Sequence, residues 1–158
     1  MNAFVIGKLR YMLPIYMGAD TQNITKLHRV LMKAARTTIG NYCCKQSISQ
    51  ILDRCKWLEI KLMIQHSAIT TLHSVVTNRL PLSITKLLTN IENNRMTKEI
   101  TTKYIPRTDK YKKFFLYSGL KIYNQIPKKL KNSSKNIFKI KTKLWLKQNA
   151  KGVPDTYD

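Results

Sequence analysis

The sequence predicts a mainly α-helical fold: a small helical bundle, then a basic C-terminal helical segment, with room for one short strand pair. Three observations predict it. Apolar residues recur at helical spacing in three separate segments, 22–39, 58–78 and 134–148. Residues suited to capping helices stand at the starts of the first and last of these segments and of a further one at Ser47. Gly and Pro number only 5 each, too few for wholesale disorder. Hydrophobic residues make up 43% of the 158, enough for a packed core. That length suggests one domain or two small subdomains, and folding should bury roughly 68–70% of the unfolded surface.

The first clear helix is "QNITKLHRVLMKAARTTI", residues 22–39. Asp20 or Thr21 can cap its start and Gly40 can end it. Ile24, Leu27, Leu31, Ala34, Ala35 and Thr38 cluster on one face, and Lys26, Arg29, Lys33 and Arg36 form a narrow stripe opposite. A second helix opens at Ser47, which has capping-box spacing to Gln50, and its apolar face is Ile48, Ile51, Leu52 and Cys55. A third runs from about Leu58 to Asn78 with Leu58, Leu62, Ile69, Leu72 and Val76 as its core side, stopped by Pro81. A short helix is expected over Ser83–Ile91.

Residues 90–113 are polar with few periodic hydrophobes, and read as a mobile connector with a short strand near Thr101–Ile105. The expected divisions are therefore a helical subdomain over 1–89, the connector over 90–113, a basic helical segment over 114–148 and a disordered tail over 149–158. The last helix, 134–148, is capped by Ser133 or Ser134. Its expected apolar arc is Ile137, Phe138, Ile140, Leu144 and Trp145, while Lys135, Lys139, Lys143 and Lys147 recur every four residues on another side. Lys141 interrupts the apolar arc and Leu146 the basic one.

Charge is the strongest compositional signal. The chain has 29 Lys+Arg against 8 Asp+Glu, a formal net charge of +21. Between Lys103 and Lys151 there are 15 Lys+Arg and one acid, Asp109. Such a domain repels itself and suits a polyanionic neighbour: RNA, DNA or an anionic membrane. A Lys- and Asn-rich compositional bias would explain the lysines but not the shortage of acids. Lysine rows would meet phosphates without reading sequence, which makes Lys26, Arg29, Lys33, Arg36, Lys112, Lys113, Lys135, Lys139, Lys143 and Lys147 the candidate nucleic-acid-binding residues. Tyr104, Tyr111, Phe114, Phe115, Tyr117 and Tyr123 interleave with lysines and could stack on unpaired bases. Phe114, Phe115, Tyr123 and Trp145 are expected in the core instead.

Enzymatic chemistry finds little support. "YMGAD", residues 16–20, looks like the Tyr-x-Asp-Asp turn of a polymerase but has one acid where metal binding needs two. Asp20 reads better as a helix cap. None of the acids Asp20, Asp53, Glu59, Glu92, Glu99, Asp109, Asp155 and Asp158 is adjacent to another or paired at i+2. There is no Gly-rich phosphate loop and no GxSxG elbow, and Cys–His catalysis has no local signature. No catalytic residue, cofactor, metal or small-molecule substrate is expected. Cys43, Cys44 and Cys55 contain no CxxC pair. Cys44, Cys55, His66 and His73 could be strung together as four ligands, but their wide gaps favour buried thiols and surface imidazoles.

Reduced thiols suit an intracellular protein of nucleus or cytoplasm, where the sequons at Asn23 and Asn132 are chance matches. The uncharged run Tyr11–Ala19 falls short of the roughly 20 residues a membrane helix needs. No signal peptide is expected, since no basic n-region precedes an apolar one.

Several of these segments together resemble a known family. "GKLRYMLPIYMGA" is similar to the stretch that follows the catalytic core in non-LTR (LINE-like) retrotransposon reverse transcriptases. "LHRVLMKAARTTIG" resembles the family's next helix: Leu27, Lys33, Ala34, Ala35, Arg36 and Gly40 match, while His28, Leu31 and Met32 stand where Gln and Asn are usual. In "ILDRCKWLEI", Trp57 and Leu58 fit a Gly-Trp-Leu element, but Cys55-Lys56 departs from its glycine. In "FFLYSGLKIYNQIPKKLKN" and "FKIKTKLWL", Phe115, Gly119, Tyr123, Asn124, Pro127, Phe138, Lys139 and Trp145 match the family's closing signature, with Ser118 in place of a frequent Arg. The pieces run in order from about residue 8 to 148.

The resemblance implies the thumb and post-thumb region, with 1–89 as the thumb-like part. In the family the endonuclease and the palm with its paired aspartates lie upstream, so the catalytic residues carry over to no position here. A thumb grips the primer–template duplex by its backbone, which suits the Lys26–Arg36 stripe. Expected partners are RNA or DNA backbone and the upstream polymerase domain. The alternatives are a stand-alone basic nucleic-acid-binding module of the host, a peripheral membrane protein using helix 134–148, and a translated remnant with no selected activity.

Overall fold

A computed structural model describes residues 2–40, 47–78, 81–89 and 100–149. The chain order is α1 (Asn2–Arg10), a 3-10 helix (Leu13–Gly18), α2 (Thr21–Ile39), α3 (Ile48–Arg54), α4 (Ile60–Asn78), α5 (Leu82–Thr85), β1 (Leu88–Thr89), β2 (Thr101–Thr102), α6 (Asp109–Lys113), α7 (Phe115–Gln125), α8 (Lys128–Lys131) and α9 (Lys135–Gln148). The fold is mainly α-helical, as the apolar spacing predicts. The two short strands pair antiparallel, Leu88 opposite Thr102 and Thr89 opposite Thr101.

Local chemistry sets the helix ends. Asp20 sits at the start of α2 in extended conformation, but its carboxylate makes no capping bond. Its backbone carbonyl instead accepts the N–H groups of Asn23 and Ile24 at 3.0 and 3.1 Å. Gly40 ends α2 with φ +70°, the left-handed conformation that glycine adopts without a Cβ penalty. The capping box of α3 is complete: the Gln50 N–H donates to Ser47 Oγ at 3.4 Å and the Ser47 N–H to Gln50 Oε1 at 3.3 Å. Lys56, just before Trp57, also takes a left-handed backbone, with φ +56°. The helix expected over Ser83–Ile91 is only α5, four residues, and gives way to β1. The 3-10 helix, α6, α7 and α8 have no counterpart in the apolar spacing of single segments.

α4 is the centre of the molecule. The 3-10 helix, α2, α7 and α9 all pack on it. Its buried residues wrap the helix: Ile60, Met63, Ile64, Gln65, Ala68, Ile69, Leu72, His73 and Val75. The single core side expected from Leu58, Leu62, Ile69, Leu72 and Val76 is too narrow, because a helix with neighbours all round buries more than one face. α7 approaches α4 closely at Gly119, where a Cβ would stand 2.8 Å from Leu72 Cδ1.

α9 is turned relative to the expectation. Phe138, Thr142 and Leu146 are fully buried, whereas Ile137, Ile140 and Leu144 of the expected apolar arc are 46%, 64% and 57% exposed. Phe138 fixes the orientation. Its ring stacks on His73 of α4 with centroids 3.8 Å apart and planes 12° from parallel, and lies 6.2 Å from Tyr123 of α7. Much of the polar connector, residues 90–99, lies outside the described residues, as do Cys43, Cys44 and the tail from 150. Among the described residues, no helix is long and apolar enough to cross a membrane.

Candidate nucleic-acid interface

The turn of α9 decides where its lysines go. Burying Phe138, Thr142 and Leu146 places Lys135, Lys139 and Lys143 at the edge of the α4–α9 seam. There they meet Arg10, the last residue of α1, and His66 of α4, around a cleft of about 250 Å³. The α4 wall also carries Ser67, Thr70, Thr71 and Ser74, a row one helical face wide. Leu58 and Met63 also line it, and among the described residues the lining contains no acidic side chain.

The polar groups of this cleft are partly committed. His66 Nε2 lies 2.9 Å from the Lys139 carbonyl, so it donates to that oxygen. Thr71 Oγ1 donates to Ser67 O at 3.0 Å, Ser74 Oγ to Thr70 O at 3.1 Å, and Thr70 Oγ1 to His66 O. Lys143 Nζ donates to the Lys56 carbonyl at 2.8 Å, which ties α9 to the α3–α4 turn. The positive charges crowd one another. Burial chiefly, then Arg10, Lys139 and Lys143, pull the His66 pKa below its ordinary value, against the opposing effect of the bond to Lys139. Burial, then Lys147 and Arg10, pull Lys143 down as well.

The other candidate residues lie elsewhere. Lys26, Arg29 and Lys33 are exposed on α2. Arg36 is half-buried, and its Nε is shut from solvent without a hydrogen bond among the described residues. Lys147 is paired with Asp53 of α3 at 2.6 Å. Lys112 is paired with Asp109 at 2.9 Å on α6, and Lys113 is half-buried. The structure thus gathers Lys135, Lys139 and Lys143 into one cleft and leaves the α2 row as a separate convex face.

Of the aromatics, Tyr104 and Tyr111 are exposed, Phe114, Phe115, Tyr117 and Trp145 are half-buried, and Tyr123 is buried. Burial pushes the Tyr123 hydroxyl up to about 12. Cys55 Sγ faces the Ala35 carbonyl at 3.8 Å, and His73 is stacked in the core, so each has a neighbour other than a metal.

Sequence reasoning missed Arg10, His66 and the hydroxyl row. The hydroxyl row has a signal: Ser67, Thr70, Thr71 and Ser74 fall at i, i+3, i+4 and i+7. Arg10 has none, since only tertiary packing brings the end of α1 to α9. No family model, curated protein or solved structure matches the chain.

Proposed function

We propose that the chain is the C-terminal part of a retrotransposon RNA-directed DNA polymerase, non-catalytic by itself, and that it holds RNA or an RNA–DNA hybrid non-specifically by the backbone. The observation that carries the binding is the gathering of cations without acids beside them: Lys26, Arg29 and Lys33 exposed along α2, and Arg10, Lys135, Lys139 and Lys143 around the cleft, which has no acid among its described lining residues. Convergent cations without counter-charges are an electrostatic footprint for phosphate. Its other partner would be the polymerase domain of the same protein.

Five of the positions that carry the family resemblance support its assignment, because each meets a physical demand. Gly40 has positive φ. Lys56, where the family has glycine, keeps the left-handed backbone that glycine favours. Gly119 allows α7 onto α4. Asn124 brackets the backbone of Ile100, its Nδ2 donating to Ile100 O at 3.0 Å and its Oδ1 accepting the Ile100 N–H at 3.4 Å. Phe138 is wholly buried.

A titration of RNA and RNA–DNA hybrid against salt tests the binding. The logarithm of affinity should fall with the logarithm of salt by about 0.7–0.9 per phosphate contact. Replacing Lys26, Arg29 and Lys33 by Ala should lower the slope while leaving helicity intact. Binding indifferent to salt would remove the proposal. The lineage is tested separately: an open frame running upstream of Met1 into a Tyr-x-Asp-Asp segment supports it, and in-frame stops with a promoter oppose it.

One observation favours a second reading. Ile137, Ile140 and Leu144 form an exposed apolar strip beside the lysines of α9, as on a helix lying on an anionic membrane. Flotation with anionic vesicles separates the two readings.

A further inference from the structure

The cleft is distinct from the α2 row in shape and in what it offers a ligand. It is concave, and Arg10 faces Lys135, Lys139 and Lys143 around it. The hydroxyl protons of Thr70, Thr71 and Ser74 are spent on helix carbonyls, and His66 Nε2–H on the Lys139 carbonyl. Apart from the Ser67 hydroxyl, little but the cations is left to meet an anion. Recognition by charge, rather than by directed neutral donors, strengthens in proportion to the charge on the ligand. A backbone phosphodiester brings one negative charge, whereas a phosphomonoester brings about 1.5 to 2 at neutral pH. Shape points the same way. The interior of a strand must both enter and leave a concavity, and an end need only enter.

We infer that this cleft is a site for the terminal phosphomonoester of a nucleic-acid strand, held by Arg10, Lys135, Lys139 and Lys143. The inference rests on the nucleic-acid reading above and adds to it which part of the strand the cleft takes. The α2 row, convex and exposed, suits strand interiors.

The test is an anisotropy titration of the full chain with one single-stranded oligonucleotide, made with a 5′-phosphate, a 3′-phosphate or hydroxyls at both ends. A terminal phosphate should tighten binding about three- to tenfold at about 0.15 M salt, the span expected of one added screened charge. Lys135 and Lys139 are exposed, so a Lys135→Gln, Lys139→Gln pair should keep the fold, checked by circular dichroism, and abolish the preference. Arg10→Gln is an independent second variant with the same expected loss. Lys26→Gln with Lys33→Gln should weaken all three oligonucleotides and keep the preference.

Salt-dependent binding with no preference for a phosphorylated end overturns the inference and leaves backbone binding standing. Binding confined to phosphorylated strands, lost in the cleft variants, supports the inference and overturns general backbone binding. Inorganic phosphate at matched ionic strength should compete poorly. If it displaces the phosphorylated strand at equal concentration, the assignment to a strand end falls.

Discussion

Replacing Gly119 by Ala would probe the α4–α7 seam against which the rest of the core is built. The added Cβ would stand 2.8 Å from Leu72 Cδ1 and 3.6 Å from Ala68 Cβ. Carbon pairs are most stable at about 3.5–4.0 Å, so the first contact must open by more than half an ångström. Leu72 is fully buried, at 0% exposure, and has no room to swing aside. Overpacking of this kind costs about 1–3 kcal/mol. Ala in place of a helical Gly recovers about 1 kcal/mol. The net expectation is a loss of about 1 kcal/mol, which lowers Tm by about 2–4 °C in a chain of this size. Gly7→Ala is the control. Gly7 also lies within a helix, α1, but nothing stands within 4 Å of its added Cβ. Only the propensity gain acts there, so Tm should stay level or rise. The assay is thermal unfolding followed by far-UV circular dichroism. If Gly119→Ala proves stabilising, as Gly7→Ala is expected to be, α7 does not meet α4 as described, and the packing argument fails with it.

Two further outcomes follow from the charges. The Asp53–Lys147 pair is largely exposed, so it contributes at most about 1 kcal/mol. Asp53→Asn should barely move Tm, yet it frees Lys147 beside the cleft. RNA affinity should then rise at low salt and the salt slope steepen by up to about 0.7–0.9; an unchanged titration would mean that Lys147 lies outside the interface. Acid pH should destabilise the fold through the half-buried His66 and the buried His73. His66 and His73 both lie below their ordinary pKa of 6.5, His66 through burial and then Arg10, Lys139 and Lys143, and His73 through burial and then Lys135. The unfolded chain therefore takes up protons first as pH falls. The histidine contribution is complete above about pH 6.5 and is lost below it, until the folded state is protonated too. Denaturant melts across that window should show the loss, and His66→Gln should make it shallower; a flat profile would contradict the lowering of both pKa values by desolvation.

Much of the helical order was legible because local chemistry set it. Ser47 with Gln50 specified the start of α3, and Gly40 the end of α2. Thr101 within a polar stretch marked the β2 strand. What escaped were features that only a second element could define. Met32 is buried although it stands beside the α2 basic stripe, and the faces of α4 were underestimated because four neighbours share it. α7 was hidden among aromatics and lysines that suggested stacking, yet Leu116, Leu120, Ile122 and Tyr123 are in the core. For the cleft, the spacing of Lys135, Lys139 and Lys143 was legible, but their convergence on Arg10 was not.

The orientation of α9 explains why. Judged by hydrophobicity, the helix should turn Ile137, Ile140 and Leu144 inward together with Phe138 and Trp145, and its lysine row would then lie on an open face. It is instead rotated by more than one residue step of about 100°, so that Phe138 stays in and Thr142 and Leu146 join it. Two things favour this choice. Phe138, itself part of the expected arc, gains an aromatic slot against His73 and Tyr123 that Ile137, Ile140 or Leu144 could not fill as well. The lysines at the new edge are long enough to keep their ammonium groups hydrated or paired, as Lys143 with Lys56 O and Lys147 with Asp53. The cost is an exposed apolar strip and a crowd of like charges around His66. An anion in the cleft would relieve that crowding, and by binding only the folded state it would stabilise the chain. The same rotation that exposes the apolar strip of α9 is thus what would couple the fold to a phosphate ligand in the proposed site.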